Sequence, residues 1–306
     1  MSNPFQYLTE IKVGASKKKV FKKFEKKLNK IIIDFSDDKN EFQNFLEVYK
    51  ILKKINISIP KIYEVFYKKK LLVMEDFGDK TFDKIFQEKK LYNLLKLAVD
   101  NLIIIQNSII YEDLIKLKKY SFKDLKKEVS EFVDYYIPYK KISDFPKKDF
   151  YELWKRIYNN QNFDFKSFVH RDFEFINLIF INKNKSHLKC GIIDFQSAFL
   201  GFIGWDLFSI LENPRINFNR KYNEDLIKYF YKNVVINSEF EIFRNQYYLL
   251  NLGRQTRLLG RWVKLSNEGN KDYLSYIDST KKRIISCLDN IQDNKLKKIY
   301  KRVLVN

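Results

Sequence analysis

Over residues 1–78 the apolar positions come in short runs, and from Thr81 onward they come in helical stripes. The pieces at 20–24, 31–35, 62–66 and 71–74 have strand length and are rich in β-branched and aromatic residues, whereas 41–54 repeats its apolar residues at helical spacing. The stretch "YKKKLLVMED" predicts a tight hairpin. Further on, "FDKIFQEKKLYNLLKLAVDNLIIIQ" and "FKDLKKEVSEFVDYY" carry apolar stripes of helical period, interrupted by strand-like pieces around Phe168 and Ile192. The pattern predicts an α+β chain. A small β-rich lobe, 1–78, is joined through "EDFGDK" to a larger, mainly helical lobe, 79–306, with no internal repeat or low-complexity linker.

Composition narrows the class. With 306 residues, 45% of them hydrophobic, the chain is long enough for a substantial core. The opening "MSNPFQYLTE" lacks a charged start followed by an apolar region, and no run approaches the roughly 20 apolar residues that span a bilayer. The expectation is a cytoplasmic protein without a membrane partner. Cys190 and Cys287 are the only cysteines and His170 and His187 the only histidines, so neither a disulfide framework nor a zinc site is expected. The net charge of +20 accompanies a joint abundance of Lys, Ile, Asn, Phe and Tyr, and the lysines are scattered. That distribution reads as the bias of an AT-rich genome, with no specific nucleic-acid partner, because dispersed charge mainly affects solubility and steering. Oligomeric state is left open.

The chemistry concentrates in three places. "FVHRDFEFINLIF" sets Asp172 after a turn and Asn177 five residues on, "CGIIDFQ" ends an apolar run on Asp194, and "GFIGWDLFSIL" holds Asp206 twelve residues later. An acid, an amide and a second acid at the end of the next strand form a phosphoryl-transfer set. The first carboxylate can accept the proton of an attacking hydroxyl, and the amide and second carboxylate can hold magnesium against nucleotide phosphates.

These residues resemble a known family. "HRDFEFIN" fits the catalytic-loop pattern H-x-D-x-x-x-x-N and "IIDFQ" the metal-binding D-F-G position of the bilobal protein-kinase-like fold. The chain is most similar to the aminoglycoside phosphotransferase family of small-molecule kinases. The resemblance implies ATP and Mg2+ as cofactors, Asp172 as base, Asn177 and Asp194 as metal ligands, and His170 and Asp206 as structural residues fixing the loop. Against the hinge, Glu75 carbonyl and Phe77 amide are implied for the base edge of ATP, with Met74 behind it, and Ser16 of "VGASKKKVF" for its phosphates. Twelve residues between Asp194 and Asp206 leave no room for the activation segment of a protein kinase, which favours a small-molecule substrate.

A narrower resemblance covers most of the chain. "LLVMEDFGDKTF", the two catalytic stretches and the late tract "GRQTRLLGRWVKLSNEGNKDYL" look like the anomeric kinases of cell-wall recycling, which act on N-acetylmuramate and N-acetylglucosamine. This implies an amino-sugar substrate, with Arg254, Arg257 and Gln196 as its contacts. There are three departures from that pattern. Ile33 or Asp34 stands where a third-strand lysine is expected, which leaves Glu47, the best-matched helix glutamate, without a lysine to pair. The phosphate loop is not G-x-G-x-x-G, and Ser197 replaces an acid after "DFQ". Two other readings stay open: a kinase of an aminoglycoside or choline, served by Glu128, Glu131 and Asp134, and a catalytically silent basic protein binding RNA or membrane lipid.

Overall fold

Five antiparallel strands open the chain, in the order β1-β2-β3-β5-β4. They are β1 (Leu8–Ile11), β2 (Lys19–Lys23), β3 (Lys30–Asp34), β4 (Ile62–Phe66) and β5 (Leu71–Glu75), with helix α1 (Lys39–Leu52) between β3 and β4. The computed structural model describes residues 8–11, 18–24, 29–87, 90–161, 163–217 and 219–304. Among the strands only β1, four residues long, lacks a counterpart in the expected set. The hairpin of β4 and β5 forms as expected, turning through Lys70 at φ +52°.

Register sorts the sheet residues onto two faces. Val20 pairs with Ile33, and Ile33 with Leu72; Lys22 pairs with Ile31, and Ile31 with Met74. These residues share the inner face, which α1 covers. Phe35 packs its ring against Phe42 at 5.9 Å and Phe45 at 5.6 Å. Asp38 starts the helix by accepting a hydrogen bond from Glu41 N at 2.9 Å, one of the orphan donors of a first turn. Its apolar stripe Phe42, Phe45, Val48, Ile51 and Leu52 is fully buried.

The chain forms two compact units, Met1–Asp113 with His170–Ala198, and Leu114–Val169 with Phe199–Asn306. This grouping differs from the expected division at residue 78, and hydrogen bonds supply the reason. A short ladder of Leu178–Phe180 with Cys190–Ile192 is tied to the first unit, where Ile192 N donates to Ser58 O at 2.8 Å and Phe180 N to Lys80 O at 2.8 Å. Asn101, on the helix Leu91–Ser108, holds the ladder's connection through His187 O at 3.0 Å.

The second unit is built on the helix Phe240–Asn267, whose 28 residues are buried on nearly every side. Gly260 lets it approach the neighbouring turn, since a Cβ there would lie 2.1 Å from the backbone carbonyl of Glu131. Trp262 stacks on Tyr273 at 5.6 Å and donates Nε1–H to Thr280 Oγ1 at 2.9 Å. No described helix is long and apolar enough to cross a membrane.

Candidate active site

The catalytic stretch leaves its strand at His170 and makes a tight loop. Arg171 takes φ +78°, and Asp172 O accepts from Glu174 N at 2.9 Å and from Asn177 Nδ2 at 2.8 Å. The amide side chain of Asn177 is thus held by its nitrogen. Ile193 N donates to Asn177 O at 3.1 Å, and Leu178 pairs with Ile192, so Asn177 and Asp194 emerge from the same end of one ladder. The spacing read in the sequence therefore brings Asp172, Asn177 and Asp194 onto one small scaffold.

His170 is fully buried, with Nε2 3.1 Å from Ile193 O and its ring edge-on to Phe173. It links the loop of Asp172 to the segment that leads into Asp194. Burial lowers its pKa to about 4, against the opposing pull of Asp194. Since the folded value lies below the ordinary 6.5, the unfolded chain binds a proton between these pH values that the folded chain does not. Stability must then fall as pH drops through this window. The contribution from this one group between pH 7 and pH 5 is about 2 kcal/mol. Urea unfolding at the two pH values should show it, and His170→Gln should flatten the dependence by that amount; an unchanged slope would contradict the assignment.

Asp194 adopts φ +66° and carries the best-defined electrostatics of the unit. Its carboxylate pairs with Lys18 Nζ and accepts from Gln196 Nε2 at 3.1 Å. Burial alone would raise its pKa, but the Lys18 ammonium and the hydrogen bonds hold it below the usual carboxylate range. Gln196 Nε2 also donates to Glu41 Oε1 at 3.0 Å, while Phe195 packs on Phe45 at 4.7 Å. Gln196, expected at the substrate, ties the Asp194 loop to α1. Glu41 and not Glu47 is the helix glutamate that faces this cluster, and Glu47 is exposed.

A magnesium ion suits the ligands present. Asp194 offers a half-buried carboxylate that already attracts a cation, and Asn177 offers an oriented amide oxygen, both hard donors. Phosphate oxygens and water would complete such a shell, because magnesium sites rarely rely on protein alone.

Around the hinge, Met74 is buried on the inner face and Glu75 ends β5, its amide donating to Lys61 O at 2.8 Å. Phe77 lies over Gly191, where an added Cβ would come within 2.5 Å of the ring. Asp76, unnoticed in the sequence, accepts from Gly78 N at 2.7 Å and pairs with Lys22 at 2.7 Å, fixing the segment against β2. Ser16, the expected phosphate contact, lies outside the described residues.

In the second unit Asp206 is buried in the first turn of the helix Trp205–Leu211. Arg254 is also buried, 2% exposed, with the carboxylate of Glu212 among its charged neighbours. Glu212 further pairs with Arg220 at 3.6 Å and accepts from Asn223 at 2.8 Å. That burial gives Arg254 a structural place in the helix core. Arg257, almost one turn on, is only partly buried.

A unit that joins a five-stranded antiparallel sheet to a loop and ladder carrying Asp172, Asn177 and Asp194 has the N-terminal architecture of a protein-kinase-like fold. The chain belongs to the phosphotransferase enzyme family, whose model matches residues 8–232, and it is a small-molecule kinase of that family. N-acetylmuramate/N-acetylglucosamine kinase of Pseudomonas putida is 20% identical over 249 residues, 79% of this chain and 71% of that protein. The enzyme of the same name from Neisseria meningitidis serogroup B is 24% identical over 255 residues, 79% and 73% of the two chains. Among solved structures, choline kinase LicA from Streptococcus pneumoniae superposes with a TM-score of 0.58 at 15% identity, over 92% of this chain and 94% of that one. ADP-bound aminoglycoside phosphotransferase APH(2'')-Ib gives 0.55 at 16% identity, over 92% and 93%. These likenesses establish the fold.

Proposed function

We propose that the chain is an ATP-dependent kinase that phosphorylates the anomeric hydroxyl of an amino sugar of the N-acetylmuramate or N-acetylglucosamine kind. The observation that carries the reaction is the juxtaposition of Asp172, Asn177 and Asp194 through Asn177's two backbone links. Asp172 accepts the proton of the attacking hydroxyl. Asn177 and Asp194 would hold magnesium, whose charge offsets that of the nucleotide phosphates. Met74, with the backbone of Glu75 and Phe77, receives the adenine. The substrate class rests on the curated relatives, both named for these two sugars and both aligned over 79% of the chain.

The acids that would serve a cationic alcohol are already engaged within the second unit. Glu128 is buried and accepts from Tyr120 Oη at 2.9 Å, Glu131 pairs with Arg261 at 3.3 Å, and Asp134 with Lys147 at 3.6 Å. Their commitments weigh against choline or an aminoglycoside. Of Arg254 and Arg257, Arg257 is the one assigned to the acceptor, since a guanidinium fork suits a carboxylate or acetamido oxygen.

ADP release should be measured with N-acetylmuramate, N-acetylglucosamine, choline and an aminoglycoside, and the product linkage read by phosphorus NMR. The expected product is an acid-labile 1-phosphate, and Arg257→Ala should impair N-acetylmuramate, which has the extra carboxylate, more than N-acetylglucosamine. An acid-stable product, or turnover confined to choline or aminoglycosides, would remove the substrate assignment. RNA or lipid binding without magnesium-dependent turnover would remove the enzyme reading itself.

A further inference from the structure

A kinase site needs a cation for the nucleotide phosphates, and β3 does not supply one on the inner face. Ile33 occupies that face, while Asp34 points the other way and accepts from Ser36 N at 2.8 Å. The lysine of β3, Lys30, lines a hollow on the outer face with Ile32 and Val73.

Lys18 has the required placement. It lies two residues before Val20, the residue paired with Ile33, so strand alternation returns its side chain to the inner face. It is 7% exposed, and burying an ammonium is costly unless it is paired. Its pairing is to Asp194, with Glu41 as a second nearby carboxylate. Gln196 bridges the two acids, at 3.0 Å and 3.1 Å. One cation thus pairs with the carboxylate we assign to the metal and has a helix glutamate among its charged neighbours.

We propose that Lys18, immediately before β2, is the nucleotide-phosphate lysine of this chain, and that Glu41 of α1 positions it. The inference rests on the kinase reading and deepens it. With Mg-nucleotide bound, Asp194 would hold the metal, Lys18 would offer its charge to the phosphate oxygens, and Glu41 would be the carboxylate left beside the lysine. Glu41 and Lys18 together replace the pair that β3 and Glu47 do not form.

Calorimetric titration of MgADP and of adenosine into the parent chain and Lys18→Met separates this role from packing. The parent should bind MgADP more tightly than adenosine, and in Lys18→Met only MgADP should weaken, by about tenfold or more for a lost charge-assisted contact. A lysine restored on the same face, in Lys18→Met with Ile33→Lys, should recover part of that loss. Unchanged MgADP affinity in Lys18→Met, or equal weakening of both ligands, would overturn the role. A parent chain that binds MgADP no better than adenosine would instead remove the kinase reading, and this inference with it.

Should Lys18→Met fail to fold, the parent chain can be treated with an acyl phosphate of ATP. The amine that lies at the phosphates forms an amide as the acyl–phosphate bond breaks, releasing ATP and a proton. Peptide mapping should find the acyl group on Lys18; acylation at another lysine with Lys18 unmodified would refute the assignment.

Discussion

Asp172→Asn should lower kcat by at least about 10²-fold, the usual worth of a general base, while MgADP affinity stays near that of the parent. The two side chains have the same shape, and the loop is shaped in part by backbone bonds. Its turn is held through the Asp172 backbone carbonyl, which accepts from Glu174 N and Asn177 Nδ2. The substitution therefore removes basicity with little disturbance of the scaffold. Steady-state turnover and a nucleotide titration together test this. Turnover near the parent value would exclude Asp172 as the proton acceptor.

Asp194→Asn should abolish the gain in nucleotide affinity that magnesium provides and lower kcat by about 10²-fold or more, as expected for loss of electrostatic stabilisation. Asparagine is the informative replacement because position 194 sits at φ +66°, a conformation that Asn tolerates and Ala does not favour. Loss of activity in Asp194→Asn then reports charge and not backbone strain. Asn177→Ala should act on two levels, since the same amide would offer its oxygen to a metal and donates its nitrogen's hydrogen to Asp172 O. ADP titrations with magnesium and with a chelator measure the effect. Equal affinities under both conditions in the parent would contradict the metal assignment.

The parts of this site that were legible in the sequence are those tied by linear spacing. Asp172 and Asn177 lie within one loop, and Asp194 follows on the paired strand, so a short motif carries their geometry. The strands of the sheet and α1 were legible for a similar reason, because local alternation and helical period determine which residues can be buried. The Lys18–Asp194 pair spans 176 residues, a distance over which no periodicity operates. The sequence offers the whole run Lys17 to Lys19 for the phosphates, and in one dimension its three members look alike. Strand alternation separates Lys18, which is buried, from Lys19, which is exposed.

Glu41 was within reach of sequence reasoning. It shares the face of Phe45 and Val48 at i+4 and i+7, whereas Glu47 lies off that stripe. Matching by position along the helix chose Glu47; matching by helical phase selects Glu41. The surroundings of Arg254 and Gln196 were not legible for a different reason. Both are polar residues in a motif, and only the fold reveals that Glu212 and Glu41 lie beside them.

The tryptophans have an unequal distribution. All three, Trp154, Trp205 and Trp262, belong to the second unit and are buried there, while the unit carrying Asp172 and Asp194 has none. Excitation at the red edge of the indole band consequently sees one half of the molecule and leaves the catalytic half dark. Comparing that emission with far-ultraviolet circular dichroism, which sees both, gives a label-free way to ask whether the halves melt as one cooperative body, since coincident transitions are the mark of two-state unfolding.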